Sequence, residues 1–186
     1  MDKKRLFVII LCTVIIFVTA IFGYNYLTKI YTEEEKEPVS SPEENVIMAP
    51  DFVVYDKDGN AASLSDFAGK PVVISFWATW CNYCINGMPH FEKAMEEYGD
   101  EVVFMMINVT DGQRETKEKA MEFIAEKGYD LPVYYDTELS ATSVYGAYSL
   151  PATGFITADG EFLYGQMGAM TEEKLFAYIE ELLTEE

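Results

Sequence analysis

The pattern of apolar and polar positions changes twice along this chain. Residues 6–22 carry no charged side chain, and the run extends to Leu27 through Tyr24, Asn25 and Tyr26. As a helix, these 17 to 22 residues span about 25–33 Å, matching a hydrocarbon core of ~30 Å. The pattern predicts a transmembrane anchor over residues 6–27, preceded by a basic segment, residues 1–5. Residues 28–45 are acidic, contain Pro38 and Pro42, and show no apolar period, which predicts a linker.

From residue 46 onward, short apolar runs alternate with helical patterns. Strands are predicted over 52–55, 72–78, 102–109 and 133–135, and helices over 82–98, 115–127 and 140–145. Residues 153–157 and 161–168 flank Asp159-Gly160 as a hairpin, and a final helix follows, N-capped by Thr171 with Glu172 and Glu173 at its positive end. In 72–78 and 102–109 the apolar residues are consecutive rather than alternating, as in strands buried on both faces of a sheet. A short helical turn is expected over 63–67, and Pro89 is a candidate kink in the helix 82–98. The helix 115–127 is expected to turn Ala120, Met121, Phe123 and Ile124 inward and to end at Gly128. The order implies an α/β fold with a mixed sheet over residues 46–186.

Composition narrows the function. With 49% apolar and 15% aromatic residues the chain can bury a core, which excludes a wholly disordered protein. Lys plus Arg number 13 against 32 Asp plus Glu, and a net charge of −19 repels phosphate backbones, so no nucleic-acid partner is expected. Three Cys and one His exclude a multi-bridge scaffold and, unless carboxylates complete it, a Cys/His zinc module with four protein ligands, so no metal site is expected. Lys3, Lys4 and Arg5 keep the N-terminus cytoplasmic and place the following domain outside, at the cell membrane. A cleaved signal peptide is the alternative, since Val18-Thr19-Ala20 resembles a cleavage site, but Ile21 and Phe22 continue the apolar run past it. Cys12 follows Leu11, where a lipidation site wants a small residue, and is read as a small apolar residue of the membrane helix.

The candidate chemistry lies in Trp80-Cys81-Asn82-Tyr83-Cys84, directly after an apolar strand and opening a helix. Cys81 falls at the helix N-terminus, where free N–H groups and the macrodipole favour a thiolate. Cys84 is one turn further in, within reach of a disulfide. A zinc site lacks ligands, and a purely structural bridge closing so short a loop contributes little, so a redox pair is the favoured reading.

The stretch Phe76-Trp77-Ala78-Thr79-Trp80-Cys81-Asn82-Tyr83-Cys84, followed by Met88-Pro89, resembles the membrane-tethered thioredoxin-like proteins of the TlpA/ResA type. Further matches are residues 103–109, Pro132-Val133, Asp136, Tyr145-Gly146, Leu150-Pro151-Ala152-Thr153 and Asp159-Gly160. The resemblance implies a thioredoxin-like fold and an extracytoplasmic thiol-disulfide oxidoreductase, working towards reduction. The Cys81–Cys84 disulfide would be its redox group, with no other cofactor. Trp80, Asn82, Tyr83, Leu150 and Pro151 would support the site, with Pro151 cis and facing the pair, and the helix around 115–127 would be an insertion. Implied partners are a protein thiol or disulfide substrate and a membrane-embedded thiol electron donor. The substrate could be an apocytochrome c, another thiol protein or a methionine sulfoxide reductase.

Three positions depart from the family pattern. Ser75 stands where many thioredoxins carry an Asp, Gly87 where ResA-like proteins often carry a Glu, and Tyr83 where Pro commonly precedes the second Cys. His90 is expected to be partly exposed and turned away from Cys81. The triplet Asn108-Val109-Thr110 falls at the end of a buried strand, where glycosylation is not expected. Two competing functions fit less well. A peroxiredoxin wants Thr or Ser where Ala78 stands and Pro where Ile74 stands. A copper-binding assembly factor wants a wider Cys spacing and a distant His.

Overall fold

The computed structural model describes residues 15–27 and 46–184. The chain divides into two compact units, Met1–Asn45 and Val46–Glu186. In the first, residues 15–27 form helix α1, in which the Thr19 hydroxyl donates to the carbonyls of Ile15 at 3.0 Å and Ile16 at 2.9 Å. At 1.5 Å per residue the described part of α1 is about 20 Å long. Among the described residues no helix is long and apolar enough to cross a membrane. The expected basic segment 1–5, the first part of the expected anchor with Cys12, and the linker 28–45 lie outside the described residues.

The second unit is built on a seven-stranded sheet. Its strands are β1 (Val53–Tyr55), β2 (Ala61–Ser63), β3 (Val72–Trp77), β4 (Val103–Asn108), β5 (Val133–Tyr135), β6 (Ala152–Ile156) and β7 (Phe162–Met167), in the spatial order β2-β1-β5-β4-β3-β6-β7. β3 pairs parallel with β4 and antiparallel with β6, while β4 and β5 are parallel. β6 and β7 form the expected hairpin. Helices α2 (Asn82–Tyr98), α3 (Lys117–Lys127), α4 (Ser140–Val144) and α5 (Glu172–Thr184) connect and cover the strands.

All six positions of β3 are buried, which explains its consecutive apolar residues. Val73 and Trp77 pack on one face with Phe104 and Met106 of β4, Met88 and Phe91 of α2, and Leu175 and Ile179 of α5. Val72, Ile74 and Phe76 pack on the other face with Met105 and Ile107 of β4, Val54 of β1 and Ala141 of α4. α2 runs through Pro89 as one helix. α3 stops at Gly128, whose φ of 72° suits a residue without Cβ. The Thr171 hydroxyl accepts from the Lys174 N–H at 3.3 Å and so caps α5 as expected.

Three details differ from the sequence expectation. β2 has no apolar signal in Ala61-Ala62-Ser63. It is held by register with β1 across a turn in which the Asp56 carboxyl accepts from the Asp58 and Asn60 N–H groups, both at 2.8 Å. α3 begins at Lys117 rather than at Glu115, with Thr116 as its N-cap. Met121 is 39% exposed, because Ala120, Phe123 and Ile124 share one stripe of the helix and Met121 lies off it.

Gly154 and Gly87 respond oppositely to a methyl group. A Cβ at Gly154 would lie 2.8 Å from the Phe162 ring and 3.1 Å from Ile74, and Phe162 also packs over Gly165. A Cβ at Gly87, inside α2, meets nothing within 4 Å. Urea unfolding should show Gly154→Ala destabilised by about 1–3 kcal/mol. Gly87→Ala should be stabilised by about 0.5–1 kcal/mol. Equal midpoints for the two variants would contradict this packing.

Candidate active site

β3 ends at Trp77, and Ala78-Thr79-Trp80 turns the chain into α2. Cys81 is the N-cap of α2, and its N–H donates to the Ala78 carbonyl at 3.1 Å. Cys81 and Cys84 form a disulfide with an S–S distance of 2.04 Å and a Cα–Cα distance of 5.2 Å. The Cys84 N–H points at the Cys81 Sγ at 3.1 Å, so the first turn of the helix directs a free donor at that sulfur.

Exposure does not distinguish the two sulfurs, since each cysteine is 5% exposed. Their surroundings do. Cys84 borders a hollow of about 10 Å³ with Ser75, Trp77, Met106, Pro151 and Thr153, about the size that admits a single water. Leu150-Pro151 is cis, and the Pro151 carbonyl accepts from the Gly168 N–H at 2.7 Å. Cys84 and Pro151, distant in sequence, thus share one hollow, and Ser75 lies beneath them from β3. Gly87 and Tyr83 border the same hollow and also a larger cleft of about 360 Å³, which reaches Asn86, His90 and Glu172. Tyr83 is 69% exposed and Trp80 37%, Asn82 is exposed, and Leu150 is half-buried between the two core clusters.

His90 takes no part at the sulfurs. Its Nδ1 lies 3.2 Å from Glu172 Oε2, and Lys93 Nζ donates to the same oxygen at 2.7 Å. The Lys93 hydrogen bond, seconded by His90, holds the Glu172 carboxyl below its ordinary pKa. Among the described residues no cluster of three or more His, Cys, Asp and Glu could hold a metal ion.

Sequence reasoning missed Glu115. It is fully buried, although it stands in an otherwise polar stretch. Its Oε1 accepts from the Thr79 N–H at 2.9 Å and from Asn108 Nδ2 at 2.7 Å, and its Oε2 accepts from the Thr79 hydroxyl at 2.7 Å. Asn108 is fully buried in this network, with its Oδ1 accepting from Thr110 at 2.8 Å, so the glycosylation triplet is spent on structure. Glu115 therefore fixes the residue two positions before Cys81. Nothing in the local pattern reveals this, because Thr79 and Glu115 are 36 residues apart. Beside it, the Arg114 guanidinium stacks over Trp80, 3.8 Å from the ring centroid.

The Redoxin family model matches residues 44–183. The chain belongs to the Redoxin family. Among curated proteins it is 29% identical over 181 residues to the thiol-disulfide oxidoreductase ResA of Geobacillus kaustophilus, covering 97% of this chain and 98% of that one. It is likewise 29% identical over 178 residues to ResA of Bacillus subtilis, covering 95% and 93%. Among solved structures, the exposed lipoprotein thioredoxin Etrx1 of Streptococcus pneumoniae superposes with a TM-score of 0.61 at 30% identity, covering 71% of this chain and 99% of that one. StoA of Bacillus subtilis has the same fold, with a TM-score of 0.61 at 21% identity over 70% and 96%. With the disulfide at the start of α2, this Redoxin member is a thiol-disulfide oxidoreductase of thioredoxin-like fold.

Position 87 sets the charge beside the buried sulfur. Gly87 borders the hollow of Cys84 and has room for a side chain. In Gly87→Glu, a carboxylate next to the reduced pair would disfavour thiolate formation. At least one apparent thiol pKa of the coupled pair should rise by roughly 0.5–1 unit. Alkylation rate against pH, for reduced wild type and variant, measures the shift. Superimposable curves would contradict the placement.

Proposed function

We propose that the protein reduces disulfides of protein substrates outside the cytoplasm, held at the cell membrane by an anchor over residues 6–27. The observation that carries the substrate class is the open backbone beside the disulfide. Among the described residues, neither the N–H nor the C=O of Leu150 has a hydrogen-bond partner, next to a proline that shares a hollow with Cys84. An extended polypeptide adds to such an edge as a further strand. Exposed aromatic rings flank the pair in sequence, with Trp80 37% and Tyr83 69% exposed.

Cys81 is the nucleophile and Cys84 the resolving thiol. The N-terminal turn of α2 favours negative charge on Cys81, whereas Cys84 faces the interior. The Cys81 thiolate attacks one sulfur of the substrate disulfide, forming a mixed disulfide, and the other substrate sulfur leaves as a thiolate and takes up a proton. Cys84, deprotonated, then attacks Cys81 Sγ and releases the second substrate thiol. Two electrons have passed to the substrate, and Cys81–Cys84 is oxidised. A membrane-embedded dithiol carrier resets the pair, which needs no further cofactor. Lys3-Lys4-Arg5 before the apolar run supports the orientation.

Cys84→Ser should accumulate mixed disulfides with substrate proteins on non-reducing gels, and Cys81→Ser should accumulate none. Equal trapping by both variants would overturn the role assignment. In intact protoplasts, external protease should remove the domain from residue 46 onward. Protection until the cells are opened would overturn the location.

A further inference from the structure

Arg114 is held firmly, and among the described residues the N–H donors of its guanidinium stay open. Asp111 Oδ1 accepts from the N–H groups of Gln113 at 2.8 Å, Arg114 at 2.8 Å and Glu115 at 2.9 Å, and the Gly112 N–H closes the turn on the Glu115 carbonyl at 2.9 Å. The Arg114 carbonyl accepts from Lys119 Nζ at 3.2 Å. The next residue, Glu115, is anchored on Thr79 and Asn108. The backbone of Arg114 is thus fixed on both sides, and its guanidinium carbon lies over the ring that precedes Cys81, 3.8 Å from the centroid.

Stacking occupies the face of a guanidinium and leaves its N–H edge outward. Arg114 is exposed, and among the described residues its guanidinium makes no ion pair or hydrogen bond. That is unusual in a chain with 32 Asp plus Glu against 13 Lys plus Arg. The neighbouring Asp111 attracts it, but its Oδ1 is spent on the turn.

We propose that Arg114, stacked on Trp80, is a specificity-determining subsite for a carboxylate on the disulfide-bearing polypeptide, close in sequence to its reacting cysteine. The proposal rests on the reading of the substrate as a protein disulfide. The planar fork of N–H donors matches a carboxylate in geometry and charge, and its fixed backbone lowers the ordering cost of the contact. The sheet order sets the side on which the carboxylate lies. Arg114 follows β4, on one side of β3, whereas the cleft with Glu172 follows β7, on the other. A substrate segment across the disulfide would therefore turn its acidic residue towards the β4 side.

The test uses the full-length protein kept reduced with dithiothreitol and three oxidised peptides alike in sequence. One has Glu beside the cysteine and an amidated C-terminus. The second has Gln there and an amidated C-terminus. The third has Gln and a free C-terminal carboxylate next to the cysteine. Hydroxyethyl disulfide serves as a small uncharged substrate. Wild type should reduce the Glu peptide about 2- to 5-fold faster in kcat/KM than the amidated Gln peptide, as for an exposed charge pair, and the ratio should shrink with added salt. In Arg114→Gln the ratio should fall to about one, and Arg114→Lys should retain part of it. Because the ratio is taken within each protein, a change in basal rate cancels. A preference for the Glu peptide identifies a side-chain carboxylate, and an equal preference for the third peptide identifies a chain terminus. A wild-type ratio of one, or a ratio that survives in Arg114→Gln, overturns the subsite while leaving the reductase reading intact. Failure to reduce any peptide while hydroxyethyl disulfide is reduced overturns the protein-substrate reading and the subsite with it.

Discussion

Burial of β3 on both faces is the constraint from which the site follows. A strand with apolar side chains above and below must lie inside the sheet, flanked by β4 and β6 and covered by helices on both sides. Its exit is then confined to its carboxyl end, where the chain turns through the fully buried Ala78 and starts α2. The cysteines therefore arrive at a helix N-terminus that is braced by the core beneath it. The Cys84 N–H points at the Cys81 sulfur, and the hollow under Cys84 is lined from β3 and β4. A pair with the same spacing on a mobile loop would have neither the dipole nor the fixed hollow.

The carboxyl ends of the parallel strands β3 and β4 meet around polar groups that must be satisfied out of water. Glu115 does this for Thr79 and Asn108 together, through three hydrogen bonds between residues of three different segments. A buried network of this kind is stable only when every member has a partner. Its consequence is rigidity where the reaction needs it, because Thr79 lies two residues before Cys81. The same turn carries Arg114 to Trp80, so the segment that braces the reactive pair from within also shapes the surface beside it.

The two flanks of the disulfide differ in charge. On the β4 side the guanidinium of Arg114 stands over the Trp80 ring, drawn by Asp111 but with no ion pair within hydrogen-bonding distance among the described residues. On the β7–α5 side Glu172 gathers Lys93 and His90 around a cleft that opens at Gly87. Between them lies Leu150, whose backbone N–H and C=O have no hydrogen-bond partner among the described residues. Such a surface combines a sequence-independent grip on an extended chain with charges that discriminate along it.

Much of the fold was legible in the sequence because it rests on local periodicity. The consecutive apolar residues of β3 and β4 announced buried strands, Gly128 announced the end of α3, and the Cys pair after a strand announced the reactive site. Motif resemblance carried Pro151 into the site, which no local pattern could. What sequence reasoning missed has little local signature. β2 is a strand only because β1 lies beside it, and Met121 is exposed because the stripe of α3 faces elsewhere. The sequence by itself determined the elements and the place of the Cys81–Cys84 pair at the start of α2, since hydrophobic period and helix-end chemistry are properties of neighbouring residues. Only the tertiary structure decided that Glu115 is buried against Thr79, that Arg114 covers Trp80 and that Gly87 opens a cleft to the hollow of Cys84. Each of these depends on segments brought together by the sheet, and a contact across 36 residues leaves no trace in the pattern on either side of it.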